Sequence, residues 1–173
     1  TPGTLTREVV AEKVDHIELV SESDIEHAIV MLLEIEKTVV EGAGAAGLAA
    51  LLRDKEAGGT RYRGKRIGLV LTGGNIDPLT LGELIERGMV RAGRLARIRV
   101  DLRDLPGALA RATTLIADAQ ANITEVHHQR AFTTLPVQNV EVDFVMQTRG
   151  HDHIAEVISR LNAAGFAASN HDH

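Results

Sequence analysis

Hydrophobic positions recur along this chain with two different periods. Val14 to Val20 form a short β-branched run, and Ser21 follows with Asp24 three residues on, which predicts a strand and then a capped helix start. From Asp24 to Thr38 the apolar positions Ile25, Ala28, Ile29, Leu32, Leu33 and Ile35 fall mostly three and four apart, with Glu26, Glu34 and Glu36 between them. That spacing predicts an amphipathic helix. Ala43 to Leu52 carries no charge and is rich in Gly and Ala, so it predicts a helix that is buried and packs closely. The charged stretch Asp54 to Arg66 reads as a surface loop leading into Ile67 to Leu71, a strand apolar on both faces. Such a strand suits a parallel sheet covered by helices, and it ends in the turn Thr72, Gly73, Gly74, Asn75. Helix resumes where Leu81, Leu84, Ile85 and Met89 share a face, and Gly93 closes it. The first part of the chain thus alternates strand and helix in the α/β manner.

After Arg94 the pattern changes. Ile98, Val100 and Leu102 alternate with Arg97, Arg99 and Asp101, the signature of a sheet with one solvated face. A helix over 106–120 offers Ala108, Leu109, Ala112, Leu115, Ile116 and Ala119 as its core stripe, and a strand follows from Asn122 to Arg130. In the strand Val140 to Thr148, the residues Val140, Val142, Phe144 and Met146 face inward while Glu141, Asp143 and Gln147 face outward. A helix over 152–163 buries Ile154, Val157, Ile158 and Leu161, and a short strand near Phe166 completes a ferredoxin-like βαββαβ order. Right-handed crossovers put both helices on one sheet face. The other face is left for a second copy, so a homo-oligomer through the sheet or helix faces is expected.

Composition narrows the function. Net charge is −5 over 173 residues, so the bulk field repels phosphate backbones, and aromatics at 2% leave no platform for stacked bases. Nucleic acid is therefore not an expected partner. No apolar run approaches the length of a membrane span, so none is expected. The absence of cysteine excludes disulfides and thiolate metal sites and fits a cytoplasmic location. Because the chain opens on Thr1 rather than methionine, it reads as a processed product, an excised segment or a piece of a longer polypeptide.

Two segments stand out from this patterning. In LVLTGGNID, Leu69 to Asp77, an apolar strand ends at a double glycine flanked by a hydroxyl and an amide. Ligands of open α/β sheets sit at the carboxyl ends of strands, where glycine lets backbone approach them; a tight turn needing positive φ is the alternative. In VVEGAGAAGLAALL, Val39 to Leu52, the carboxylate of Glu41 stands at the entrance of the Gly/Ala helix, where it also reads as a simple cap.

Together, these two segments resemble the C-terminal end of the catalytic domain of fold-type II pyridoxal-phosphate enzymes, specifically threonine dehydratases (threonine ammonia-lyases). Residues 95–168 resemble an ACT domain, through Asp104-Leu105-Pro106-Gly107-Ala108-Leu109 at a strand-to-helix turn and Asn122-Ile123 at the second strand. The resemblance implies an α/β chain in which residues 1–94 are a C-terminal portion of the catalytic domain and residues 95–173 a regulatory ACT domain. The implied chemistry is conversion of threonine to 2-oxobutanoate and ammonia, in isoleucine biosynthesis, with pyridoxal 5′-phosphate as cofactor. Thr72, Gly73, Gly74, Asn75 and Glu41 are the implied cofactor-binding residues. Thr72 stands where the family usually has serine. Asp104, Leu105, Gly107, Ala108, Asn122 and Ile123 are the implied effector site, for isoleucine or valine.

One departure is large. The family's Schiff-base lysine and Gly-rich phosphate loop are absent, since Lys13, Lys37, Lys55 and Lys65 do not match the lysine motif. This segment alone is therefore expected to hold no catalytic residue, to bind no cofactor and to be inactive. A different reading keeps only a non-catalytic amino-acid-binding ACT module. The histidines His127-His128, His151, His153, His171 and His173 are spaced poorly for a shared ion, and no metal is expected. RYRGKR, Arg61 to Arg66, reads as a solvated loop.

Overall fold

The computed structural model describes residues 3–129 and 138–171. The chain divides into two compact units, Thr1–Leu84 and Ile85–His173. Arg130, the expected end of the strand starting at Asn122, and His173 lie outside the described residues.

Unit 1 contains helices α1 (Thr4–Lys13), α2 (Glu22–Met31) and α3 (Gly42–Glu56), and the start of α4 (Pro78–Arg91), within which the unit boundary falls. Ser21 caps α2 reciprocally with Asp24: the Asp24 amide donates to the Ser21 hydroxyl, and the Ser21 amide donates to the Asp24 carboxylate. A π-helical turn, Leu32–Glu36, ends at Lys37, which adopts φ 56°. Ala28, Ile29 and Leu32 bury against Val40, Ala45, Ala49 and Leu84, so the small residues of α3 supply the close packing expected of them.

Two expected strands do not form. Residues 14–20 and 67–71 form no regular element and pair with no strand among the described residues. A strand persists only if its backbone donors and acceptors meet a neighbour, and the described residues of unit 1 offer none. The Leu19 carbonyl is instead taken by the Arg53 guanidinium. The double-sided apolarity of Ile67 to Leu71 predicts burial, yet Val70 is 82% exposed, and Ile67, Leu69 and Leu71 are exposed as well.

Unit 2 contains β1 (Leu95–Arg103), α5 (Ala108–Asp118), β2 (Asn122–Gln129), β3 (Asn139–Gln147), α6 (His151–Ala163) and β4 (Ala167–Asn170). Its four-stranded sheet has the order β2-β3-β1-β4, with every neighbour antiparallel. The predicted alternation holds. Ile98, Val100 and Leu102 of β1 and Val140, Val142, Phe144 and Met146 of β3 are buried with Ala112, Ile116, Val157 and Leu161 of the two helices. His153 joins this core: its Nδ1 accepts from the Arg149 amide at 3.1 Å, and its Nε2 lies 2.7 Å from the Ala119 carbonyl. That pattern puts the ring proton on Nε2, and the neutral ring ties the end of α5 to the start of α6.

The opposite sheet face is not an apolar surface awaiting cover. Arg99 lies across it and donates from Nε and Nη2 to the two oxygens of Asp143, at 2.7 and 2.9 Å, while Nη1 sits 3.0 Å from Glu141. Asp143 faces outward as expected but is buried beneath that guanidinium. The fork-to-carboxylate geometry explains how the charge is tolerated there.

Candidate functional site

In unit 1, the start of α3 meets the glycine turn. The Glu41 amide donates to the Gly73 carbonyl at 2.6 Å. Gly73 has φ 75°, and a Cβ there would overlap the Glu41 carboxylate. Gly44, buried one turn into α3, faces the turn's backbone so closely that any Cβ would overlap the Thr72 carbonyl oxygen. Glu41, Thr72 and Gly73 are therefore brought together, and two glycines make this possible. Glu41 is the N-cap of α3 but makes no side-chain cap bond, so the capping reading of its carboxylate does not hold. Thr72, Gly74 and Asn75 are exposed beside it. Gly44 was not singled out from sequence, because one glycine among several in AGAAG carries no mark of which backbone it meets.

In unit 2, the turn after β1 is held by its own backbone. The Asp104 amide donates to the Gln138 carbonyl at 2.9 Å, and the Ala108 amide donates to the Leu105 carbonyl at 3.1 Å. Gly107, with φ 88°, starts α5 in a left-handed conformation that side-chain-bearing residues avoid. A cavity opens on each side of this turn. One, of about 320 Å³, lies toward β2 and is lined by the turn, Leu109, His128 and Val140. The other, of about 870 Å³, lies toward the α6–β4 connection and is lined by the turn, Arg111, Asn139 and Phe166.

Asp104, Leu105, Gly107 and Ala108 line the first cavity, but Asn122 and Ile123 do not. Asn122 pairs with Gln147, which pairs in turn with Leu95 at the far end of β1. At about 3.3 Å per residue the length of β1 separates Asn122 from Asp104 by roughly 30 Å. Within one copy, the two groups of effector residues cannot touch one small ligand. His128, Arg111 and Phe166 were missed as cavity residues, since each comes to the turn from a distant stretch of chain. Among the described residues no three His, Asp or Glu side chains converge as a metal site. No described helix is long and apolar enough to cross a membrane.

Residues 96–166 match the ACT domain family, so the four-stranded sheet and two helices of unit 2 are an ACT domain. Over 165 residues the chain is 48% identical to L-threonine ammonia-lyase of Geobacter sulfurreducens and 36% identical to that of Thermotoga maritima, in each case covering 95% of this chain and 40% of the relative. It is also 44% identical over 77 residues to the catabolic L-threonine dehydratase TdcB of Escherichia coli, covering 44% of this chain and 22% of that protein. The chain is similar to these two threonine ammonia-lyases over nearly all its length, and spans about two fifths of theirs.

Proposed function

We propose that this chain is the C-terminal portion of a pyridoxal-phosphate-dependent threonine ammonia-lyase that converts L-threonine to 2-oxobutanoate and ammonia in the cytoplasm. Residues 1–94 furnish one wall of the catalytic site, and residues 95–173 sense an amino acid, isoleucine or valine. Homology to named threonine ammonia-lyases across 95% of the chain is the observation that carries this reading.

The residues present fit one side of a cofactor site. Gly44 and Gly73 let the Thr72 turn and Glu41 close against α3, since a Cβ at either would overlap them. Pyridoxal phosphate, when bound, supplies an electron sink for the carbanion at Cα. Thr72 would offer a neutral hydroxyl to the pyridine nitrogen of that cofactor. Gly74 and Asn75 shape the adjoining wall, and Glu41 holds the turn through its amide. None of these groups replaces the missing Schiff-base lysine, so the segment alone is inactive.

The sensing site is built around Asp104, Leu105, Gly107 and Ala108. Because Asn122 and Ile123 lie at the other end of β1, they join it only from a second copy, which makes the sensor a homo-oligomer. An effector bound there alters catalysis only by favouring one arrangement of subunits over another.

Two tests separate the parts. The coding sequence upstream of Thr1 is expected to carry a lysine-bearing cofactor motif; a start codon immediately before Thr1 would instead leave the chain a non-catalytic amino-acid-binding module. Calorimetric titration with isoleucine and valine is expected to give saturable binding, and heat-silent titrations of both would remove the sensing role.

A further inference from the structure

We propose that the end of α3 and the basic loop over 57–66 form a binding site in unit 1 for a phosphate monoester with an apolar organic part. The site is separate from the cofactor and sensing roles proposed above, since none of the residues assigned to those roles lines it.

Against a net charge of −5 for the whole chain, residues 53–66 hold six cations and two carboxylates, Asp54 and Glu56. Two of the cations are engaged: the Arg53 guanidinium donates to the Leu19 carbonyl, and Arg61 pairs with Glu18. The other four, Lys55, Arg63, Lys65 and Arg66, make no ion pair among the described residues. RYRGKR reads from sequence as a solvated loop, yet its own bonds give it a fixed course. The Arg63 amide donates to the Thr60 carbonyl at 3.2 Å and the Lys65 amide to the Tyr62 carbonyl at 3.1 Å, while the Tyr62 hydroxyl lies 3.5 Å from the Glu18 carboxylate. A cavity of about 500 Å³ opens between this loop and α3, lined by Leu51, Asp54, Lys55, Tyr62, Arg63 and Ile67 together with the Gly58–Gly59 turn.

The lining divides by chemistry. Half-buried Leu51 and Tyr62, with Ile67, form an apolar wall, and Lys55 and Arg63 bring an ammonium and a guanidinium to the same cavity. An apolar body is held there by its removal from water, and an anionic head by the cations. A phosphate monoester, doubly charged, answers both cations, where a carboxylate answers one. Asp54 is the one carboxylate among the described lining residues; it lies against the Gly59 backbone, where a Cβ would overlap it, and the two cations outnumber it. The negative end of the α3 dipole would oppose an anion, but it is blunted here. The Arg53, Lys55 and Asp54 carbonyls accept from the amides of Ala57, Gly58 and Gly59 in turn. Lys65 and Arg66, in the same loop, strengthen the local positive field.

Tyr62 is the only tyrosine and the chain has no tryptophan, so the tyrosine emission of the full 173-residue chain reports on this cavity without a label. Titration with n-hexyl phosphate is expected to change that emission saturably, with inorganic phosphate and n-hexanol each binding at least about tenfold more weakly. Lys55→Gln and Arg63→Gln are each expected to weaken the ester about tenfold, while Arg66→Gln, outside the lining, keeps its affinity within about twofold. All three side chains are exposed, so the fold does not depend on them. Equal affinity for hexyl phosphate and inorganic phosphate, or equal losses in the three variants, would reduce the feature to diffuse surface charge and overturn the site. Sedimentation with phosphatidylcholine vesicles containing phosphatidic acid, without a response to the soluble ester, would make the loop a membrane-surface contact and overturn it equally. A hexyl phosphate titration silent in both emission and calorimetric heat overturns it outright and leaves the cofactor and sensing roles untouched.

Discussion

Replacing Asp143 by alanine removes the acceptor of two charge-assisted hydrogen bonds from the polar face of the ACT sheet. Asp143 is 5% exposed, and Arg99, with 28% of its side chain exposed, keeps the Glu141 carboxylate at 3.0 Å in the variant. Breaking a buried pair from one side costs about 3–5 kcal/mol, and the partial exposure of Arg99 together with its retained Glu141 contact reduces this to about 2–3 kcal/mol. In a unit of this size that corresponds to a fall in melting temperature of about 10–20 °C. Because the chain has two compact units, the melt should be followed through amide signals of β1 and β3 rather than by total ellipticity. Arg99→Met should destabilise the Asp143→Ala variant less than it destabilises wild type, since the pair is already broken. The same pair fixes a pH dependence. Hydrogen bonding from Arg99, reinforced by its charge, holds the Asp143 carboxyl below its ordinary range despite burial. Stability from this group is therefore fully present above the unfolded value of about 3.9 and is lost as pH falls through the lower folded value. Asp143→Asn should flatten that acid limb. A loss below about 1 kcal/mol in Asp143→Ala, or strictly additive effects of the two substitutions, would refute this account of the sheet face.

Three further outcomes follow from other positions. Gly44→Ala places a methyl group on the Thr72 carbonyl and should cost unit 1 about 1–3 kcal/mol, with hydrogen exchange rising first over residues 66–77. Gln120 holds φ 64° just past α5, so Gln120→Gly should raise the melting temperature of unit 2 by relieving up to about 1 kcal/mol of backbone strain. His153→Leu fills similar space but leaves the Arg149 amide and the Ala119 carbonyl without their side-chain partner; urea denaturation should show a loss of about 2–3 kcal/mol.

The ACT unit was readable from sequence because every partner it needs lies within the chain. The alternation of Ile98, Val100 and Leu102, and that of Val140 to Met146, each states which face is buried, and β1 and β3 then cover one another's edges. The runs at 14–20 and 67–71 carry an equally strong strand pattern. Apolarity and β-branching describe what a strand can bury, however, not whether a neighbouring strand is available, and among the described residues none is. Glu41 and the Thr72–Gly73 turn were identified together by resemblance, and the backbone joins them. Gly44, Arg111, Phe166 and His128 carry no local signal, since each matters through an approach between elements far apart in sequence. Asp143 shows a related limit: period-two alternation assigns it correctly to the outer face but does not reveal that Arg99 would cover it.

The central claim, that these residues complete a threonine ammonia-lyase without being one, is tested most directly by measuring 2-oxobutanoate formed from L-threonine. The 173-residue chain supplied with pyridoxal phosphate is compared with the same chain fused behind the part of the Geobacter sulfurreducens enzyme that precedes its homologous region. The fusion is expected to form 2-oxobutanoate at a rate that responds to isoleucine or valine, and the chain alone to form none. Turnover by the chain alone, or a folded fusion that leaves threonine untouched, would contradict it.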